Sequence, residues 1–522
     1  MAILPSSPCV QMPLAVPIDR WFIWPPPMNC PPAAFGPLGV YWIFFKFYDL
    51  LAKFSCPPSF AMSKSRLLRE FPQLSHSLKY AMVFYEGQHN DSRTNIAIAL
   101  TAAENGATVL NHAEVAKLHK APGGDGTVSG AVVRDLITNE EITIKLDSAF
   151  NLSSLDKNKQ TISLIFSRLM KIRCKSVVMC GGPFTDELRD MEDEEEGEGK
   201  EKVASKVING AAGTHVVLPG YLCPRNCGMV DMATSDGRIL FYLPWEGHTL
   251  VGTTDVKCDV TDRPIPTEEE IDWIIGETNN YLTPECQVTR KDVLSAWSGI
   301  RPLAVDPHAD PNAPASRDHV VSVNPKTKAV FVAGGKWTTY REMAEDAIDN
   351  LLQVHPDLAA KASSCKSLSV PLLGAEGYCR TLPIQLSKSF NLPIQVCEHL
   401  ARDYGGRAAD VCALIGDAVA TEEGDPRLLA AGYPYLKAEV RYACREHART
   451  VEDIISRRTR LAYLNVKDAQ KAIPIVAEIM AEELRWNVEE TQKQMVDAAA
   501  FLDTFAGPEP AIATTPAASK AV

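Results

Sequence analysis

No stretch of the 522-residue sequence holds the ~18 to 20 consecutive apolar residues that a helix needs to cross a bilayer. The nearest approach is VYWIFFKF at residues 40–47, interrupted by Lys46. It reads as a buried or docked aromatic helix, with an interfacial patch touching a bilayer as the alternative. A CxxC pair is also missing from the fourteen cysteines. Cys223 and Cys227 are spaced CxxxC with no histidine cluster nearby, which argues against a metal site and for reduced thiols of an intracellular chain. Basic charge is in deficit: the formal net charge of −12 argues against a nucleic-acid partner, because phosphate backbones are held by net positive surfaces. A small anionic substrate stays compatible, since one arginine can dominate one pocket. The first residues show neither a charged n-region with an apolar h-region nor an arginine-rich presequence, so no targeting signal is visible.

What is present is the composition of packed globular protein, 46% hydrophobic and 23% charged, with length for two to four domains. Residues 1–40 read as a proline-rich irregular segment. Beyond it, YAMVFYEGQ predicts a strand, Asp91 a helix cap before NIAIALTAAENG, and ATVLNHAEV a returning strand, a βαβ unit with Gly106 as the C′ glycine. The following segment carries Gly124, Gly126 and Gly130, but no helix follows and alternating strands flank the turn. A hairpin is expected there, not a phosphate loop. Residues 147–173 fit neither neighbouring strand and read as an insertion, and the acidic run at 192–202 reads as a solvated loop. Four segments from residue 360 onward have helical spacing and predict an all-α C-terminal domain over 359–506. The tail at 507–522 is low in complexity and is expected to be disordered.

Several local patterns bear on chemistry. SVVMCGGPFTDEL is a strand, a Gly181-Gly182 turn and a helix start, a place where a ligand can approach the backbone and meet free amide donors. KAVFVAGGKWTTYREMAEDAIDNLL repeats the design with Gly334, Gly335 and Lys336, aiming the positive end of a helix and a lysine beyond the turn. Between them stand three polar clusters in apolar surroundings. Thr214-His215 stands just before VVLPG, Gly252-Thr253-Thr254-Asp255 closes HTLV, and Ser298-Gly299-Ile300-Arg301-Pro302 follows a short strand. Taken singly, such a histidine is more often structural and such an arginine more often a surface ion pair.

Seven strings, EGQHNDSR at 86–93, GGPFTDELR, GTHVVLPG, TSDGRILFYLPW, GTTD, AWSGIRPL and AGGKWTTYREMAE, resemble in order the blocks of the FAD-dependent, mitochondrial-type glycerol-3-phosphate dehydrogenases. The resemblance runs from about residue 47 to 506. It implies an α/β (α+β) FAD-dependent oxidoreductase fold over 41–358, truncated at its N-terminal side, with an all-α C-terminal domain. It implies oxidation of sn-glycerol 3-phosphate to dihydroxyacetone phosphate, with electrons passing through FAD to ubiquinone. A mitochondrial location at the inner-membrane surface follows from the same resemblance. Carried over residue by residue, His215 would accept the C2 hydroxyl proton, Arg301 would hold the phosphate, and Lys336 would sit by the flavin. Gly181, Gly182, Gly334, Gly335 and Thr338 would border the cofactor, and Thr253 and Asp255 would shape the pocket.

The sequence departs from the family pattern in two places. The strand–GxGxxG–helix unit that grips the FAD pyrophosphate does not occur in these residues, and 147–173 interrupts two strands the family joins directly. No DxDxDG loop is found, so calcium control is not expected. Two classes stay open: an enzyme of this family, or a non-catalytic, truncated remnant that binds no FAD. A relative oxidising another small hydroxy or amino substrate fits SGIRPL and GGKWTTYR less well.

Overall fold

The computed structural model describes residues 10–18, 37–54, 56–120, 126–137, 141–144, 174–193, 207–224, 226–232, 234–304, 318–418 and 424–507. The insertion read at 147–173 and all of the tail but Gly507 lie outside the described residues, as does most of the acidic run.

The first strand, β1 (Val10–Ile18), falls where proline richness predicted irregular chain, and helix α1 (Pro37–Leu51) begins inside that segment too. The reason is pairing: β1 runs antiparallel to β3 (Tyr80–Gln88) over its whole length, and Pro13 and Pro17 have the same parity, so their missing donors fall on one side. Strand β2 (Phe60–Ser63) and helix α2 (Lys64–Glu70) lie between α1 and β3.

Helix α3 (Asp91–Glu104) follows β3, capped by Asn90, whose side chain accepts from the Arg93 N–H at 3.0 Å; Asp91 is its first residue, not its cap. Gly106 has φ +94°, as a C′ glycine should. The expected βαβ unit is not one sheet. After α3 the chain enters a separate antiparallel meander, β4 (Ala113–Lys120), β5 (Val128–Asp135) and β6 (Glu141–Ile144). The β4–β5 pairing is the hairpin expected in place of a phosphate loop.

Strand β7 (Val178–Met179) leads through Gly181-Gly182 into helix α4 (Thr185–Asp193). Glu192 opens the acidic run, yet it is buried and holds the Thr327 hydroxyl and Asn324 Nδ2, so its charge serves a turn and not solvent. The main sheet continues with β8 (Ile208–Pro219), β9 (Gly228–Asp231), β10 (Leu240–Trp245), β11 (His248–Gly252) and β12 (Val256–Lys257). Helix α5 (Glu268–Asn279) and β13 (Ser295–Ala304) follow. Nine strands form it: β8 is flanked by β11 and β12 on one side and by β13 on the other. Strands β14 (His319–Val323) and β15 (Val330–Gly334) join β7 in a third sheet, where β15 and β7 are parallel. Thus Gly181-Gly182 and Gly334-Gly335 leave neighbouring parallel strands at their carboxyl ends, the side of an α/β sheet where ligands bind.

After α6 (Tyr340–Val354) and the short α7 (Pro356–Ala359) comes a largely exposed stretch without helix or strand, and the described residues beyond it form helices and one isolated bridge, Leu428 to Leu436. Helices α8 (Leu382–Phe390), α9 (Ile394–Tyr404) and α10 (Ala408–Cys412) build one core, which Ala438 and Tyr442 of α11 (Lys437–Arg445) join. Strand-free packing of α11, α12 (Leu461–Leu464), α13 (Val466–Leu484) and α14 (Val488–Leu502) builds a second, and it reaches Trp245 and Trp297 of the main sheet. TVEDIISRRTRLAYL is a π-type turn over Asp453–Arg458 followed by α12, not one continuous helix.

Candidate active site

Two of the three polar clusters read from the sequence as strand ends are strand middles, while Gly252-Thr253-Thr254-Asp255 does close β11. His215 lies inside β8 and Arg301 inside β13, because both strands pair along most of their length and that pairing overrides the low strand preference of their glycines. In the β8–β13 ladder His215 faces Trp297, Gly213 faces Gly299, and Ala211 faces Arg301. Directly opposed residues share a face and alternate residues repeat it, so these six lie on one face in three rungs. The middle rung has no side chains. An imidazole and a guanidinium are thereby held on either side of a glycine-floored gap.

Gly213 and Gly252 have a steric reason, whereas a Cβ on Gly299 would meet open space. A Cβ on Gly213 would stand 2.6 Å from Arg301 Nη2, so the guanidinium folds over that backbone. A Cβ on Gly252, which faces His215 from β11, would stand 2.4 Å from the imidazole Cδ2. The other face of the imidazole stacks on Trp297, with centroids 5.5 Å apart and planes 9° apart.

Arg301 donates from Nη2 to Thr253 Oγ1 at 3.0 Å, and from Nη1 to the Thr254 carbonyl at 3.2 Å and to Asp255 Oδ1 at 3.3 Å. Asp255 is 60% exposed, so this pair is screened and holds by less than about 1 kcal/mol; a competing dianion can open it. The GTTD turn itself is pinned. Thr254 Oγ1 accepts from the Thr214 N–H at 2.8 Å and donates to Glu270 Oε1 at 2.5 Å, and Glu270 also closes the capping box of α5 with Thr267. Neither Glu270 nor Trp297 is recognisable as a site residue from spacing alone.

Burial, and secondly the positive charge of Arg301, push the His215 imidazole down to about 4, against a weaker opposing pull from the Gly213 backbone. It is a neutral base at physiological pH, ready to accept a proton. On the other face of the ladder the opposed hydroxyls of Thr214 and Ser298 are buried with no protein partner, an arrangement that a ligand or a water would satisfy.

The glycine turns close on the same region. Gly334 has φ +68°, and a Cβ there would stand 2.7 Å from the Cβ of Ala304 at the end of β13. Residues Gly182–Phe184 also lie along β13. Lys336 and Thr338 follow on an exposed turn before α6, where Trp337 stacks at 6.4 Å on His89. The structure therefore brings His215, Arg301, Thr253 and Asp255 together around the β8–β13 ladder and the end of β11. It sets Gly181, Gly182, Gly334 and Gly335 at the border of this region, and leaves Lys336 and Thr338 exposed beside that border.

Comparison with known proteins agrees with this architecture. Residues 34–341 match the family described as FAD dependent oxidoreductase, and 365–491 match the C-terminal domain of alpha-glycerophosphate oxidase. The human mitochondrial glycerol-3-phosphate dehydrogenase is 40% identical over 499 residues, which is 94% of this chain and 61% of that protein. The probable mitochondrial glycerol-3-phosphate dehydrogenase of Dictyostelium discoideum is 35% identical over 89% of this chain and 68% of its own length. The chain thus spans about three fifths of the length of the animal relatives it matches. A crystal structure of the Bacillus halodurans glycerol-3-phosphate dehydrogenase with FAD superposes with a TM-score of 0.68 over 97% of this chain and 84% of that one. At 23% identity that likeness speaks for the fold. On these matches the chain belongs to the family of FAD-dependent glycerol-3-phosphate dehydrogenases of the mitochondrial type.

Proposed function

We propose that the chain serves the oxidation of sn-glycerol 3-phosphate to dihydroxyacetone phosphate, with FAD as the first electron acceptor and a quinone as the final one. The observation that carries the reading is the pair His215 and Arg301, on one sheet face and separated by the side-chain-free rung Gly213–Gly299. A phosphorylated three-carbon alcohol has a dianion at one end and a secondary hydroxyl two bonds further along its carbon chain. The gap offers a guanidinium for the first and an uncharged imidazole for the second.

Whether the residues fit FAD has two answers. The glycine turns at the carboxyl ends of β7 and β15 suit the ring end of a flavin. None of the described turns carries the GxGxxG that cradles a pyrophosphate. FAD, when bound, supplies the two-electron acceptor that oxidation of a secondary alcohol requires. The chain's own part is then as follows. Arg301 exchanges its screened bond to Asp255 for the phosphate while Thr253 and the Thr254 carbonyl keep its fork aimed. His215 takes the C2 hydroxyl proton as C2 gives up its hydride. Lys336 and the amino end of α6 place positive potential beyond the Gly334-Gly335 turn, where negative charge collects as the acceptor is reduced.

The names of the relatives support a mitochondrial location, and the exposed apolar side chains Ile43, Phe47, Leu50 and Leu51 of α1 support a membrane surface within it. Dye reduction by FAD-supplemented protein, with glycerol 3-phosphate compared against glycerol, tests the reading. Activity with the phosphate and at most a trace without it is expected. Equal rates with both would remove Arg301 from its role. Protein that folds but retains no flavin would favour the non-catalytic class.

A further inference from the structure

A histidine that serves as a base is ordinarily held by an acceptor on its second nitrogen. Among the described residues, His215 has no carboxylate against it, and its Nδ1 has no side-chain hydrogen-bond partner. The Gly213 backbone bears on the imidazole too, but as the smallest of the influences on it, so other contacts must fix the ring, since a strand histidine is free to turn about two side-chain torsions. The candidates are the two surfaces on which the ring lies: the Gly252 backbone and the indole of Trp297, parallel to within 9°.

The indole does not stand alone. Its edge meets the ring of Tyr463 at 5.0 Å and 82°, Tyr463 meets Phe505 at 5.1 Å and 76°, and Trp245 tilts against it at 5.7 Å. Tyr463 and Phe505 belong to the helical region. Backbone bonds fix the strand under the indole to that region as well: Ala296 and Ala506 exchange both N–H···O bonds at 2.9 and 3.0 Å, and Val466 N–H donates to the Leu294 carbonyl at 3.2 Å. The Ser295 hydroxyl donates to the Ala462 carbonyl at 3.1 Å.

We infer that Trp297 is a positioning residue for His215, and that the helical region, through Tyr463 and Phe505, sets the plane of the proton-accepting imidazole. The inference rests on the reading of His215 as the base. Arg301, itself paired with Asp255, is the charged group acting on this imidazole, so changes in the ring's behaviour trace to the indole or to that guanidinium.

The test uses the full chain with FAD supplied, and compares Trp297→Leu, Trp297→Phe and Tyr463→Leu with His215→Ala as the reference. Trp297→Leu is expected to lower kcat by on the order of 10- to 100-fold, as a ring displaced by about an ångström would. KM for glycerol 3-phosphate should stay within about threefold, because the phosphate grip is on Arg301. Trp297→Phe, which keeps a smaller stacking face, should recover most of kcat, and Tyr463→Leu should fall between. Independently of turnover, the imidazole of His215 followed by NMR should titrate at higher pH in Trp297→Leu as water enters beside it. An unchanged kcat together with an unchanged titration in Trp297→Leu would overturn the inference, as would a loss in Trp297→Phe equal to that in Trp297→Leu. If Trp297→Leu does not fold, Trp297→Phe and Tyr463→Leu decide by the same two readouts. An active His215→Ala would sink the base assignment itself, a failure distinct from this one.

Discussion

Arg301 and His215 are set up to fail in different ways. Arg301→Ala removes the phosphate clamp and should raise KM, with a loss of roughly 2 to 4 kcal/mol in kcat/KM if the phosphate is desolvated. His215→Ala should leave KM near its value and lower kcat by roughly 10²- to 10⁴-fold. Steady-state kinetics on the two variants separates the roles. Arg301 also holds the imidazole down, so an anion bound to it should let the imidazole rise. The His215 midpoint, about 4 without such an anion, should move upward on adding inorganic phosphate, and the response should vanish in Arg301→Ala, whose own midpoint starts higher. NMR titration of the histidine resonances checks both. A base that gains strength only when the substrate's phosphate is seated beside Arg301 would explain why so low a value without it is compatible with turnover. The identities of these two residues were legible in the sequence through their blocks. Trp297 and Glu270 were not, since an indole in a strand and a glutamate in a helix's first turn are ordinary until the ladder and the cap are seen.

At the level of elements, the decisive feature is the rung Gly213–Gly299, which depends on register and could not be read from either strand alone. Two glycines and a threonine-histidine pair weaken the strand pattern locally, so both segments looked like ends. In the fold β8 has a partner on each side, and those ladders outweigh the local preference. Gly213→Ala tests the rung directly. The added methyl would press on Nη2 of Arg301, a side chain that can move outward, so the fold should survive while KM for the phosphorylated substrate rises. Unchanged KM would mean that the guanidinium is not held over this backbone when substrate binds. The strand–helix–strand reading of 80–120 met the same limit: its elements were legible, but periodicity does not say which sheet a strand will join. The π-type turn at Asp453–Arg458 shows it again, for its buried Asp453 is held by His112 at 3.0 Å, a partner 341 residues away.

Taken as a whole, the molecule joins its two regions through charges as well as through the Trp297 socket. Arg93, at the start of α3, grips Glu446 with two bonds at 2.5 and 2.6 Å, both side chains nearly enclosed, and lies over the Tyr404 ring at 4.4 Å. Glu446→Gln would leave that guanidinium facing a neutral amide in a buried place, at a cost of roughly 3 to 5 kcal/mol that urea unfolding would register. The all-α region was legible from its 3.6-residue spacing, but its attachment was not, because contacts such as Ser295–Ala462 and Arg93–Glu446 join residues 167 and 353 positions apart in sequence. That attachment decides the last expectation. Residues 361–370 are all exposed and carry Lys361 and Lys366, whereas α6 before them buries Ala347 and α8 after them buries Leu382 and Leu386. Trypsin should therefore cut first in this connection, giving two bands on a denaturing gel. The fragments should nonetheless elute as one species from a native sizing column. The Arg93–Glu446 pair, the exchanged bonds of Ala296 and Ala506, and the indole seated against Tyr463 all cross the cut, and separation would strand a buried ion and expose an aromatic core. Early cleavage within 382–502 would move the boundary. Clean separation of the fragments would show that the helical region is merely tethered, and would remove the support that the plane of His215 is argued to need.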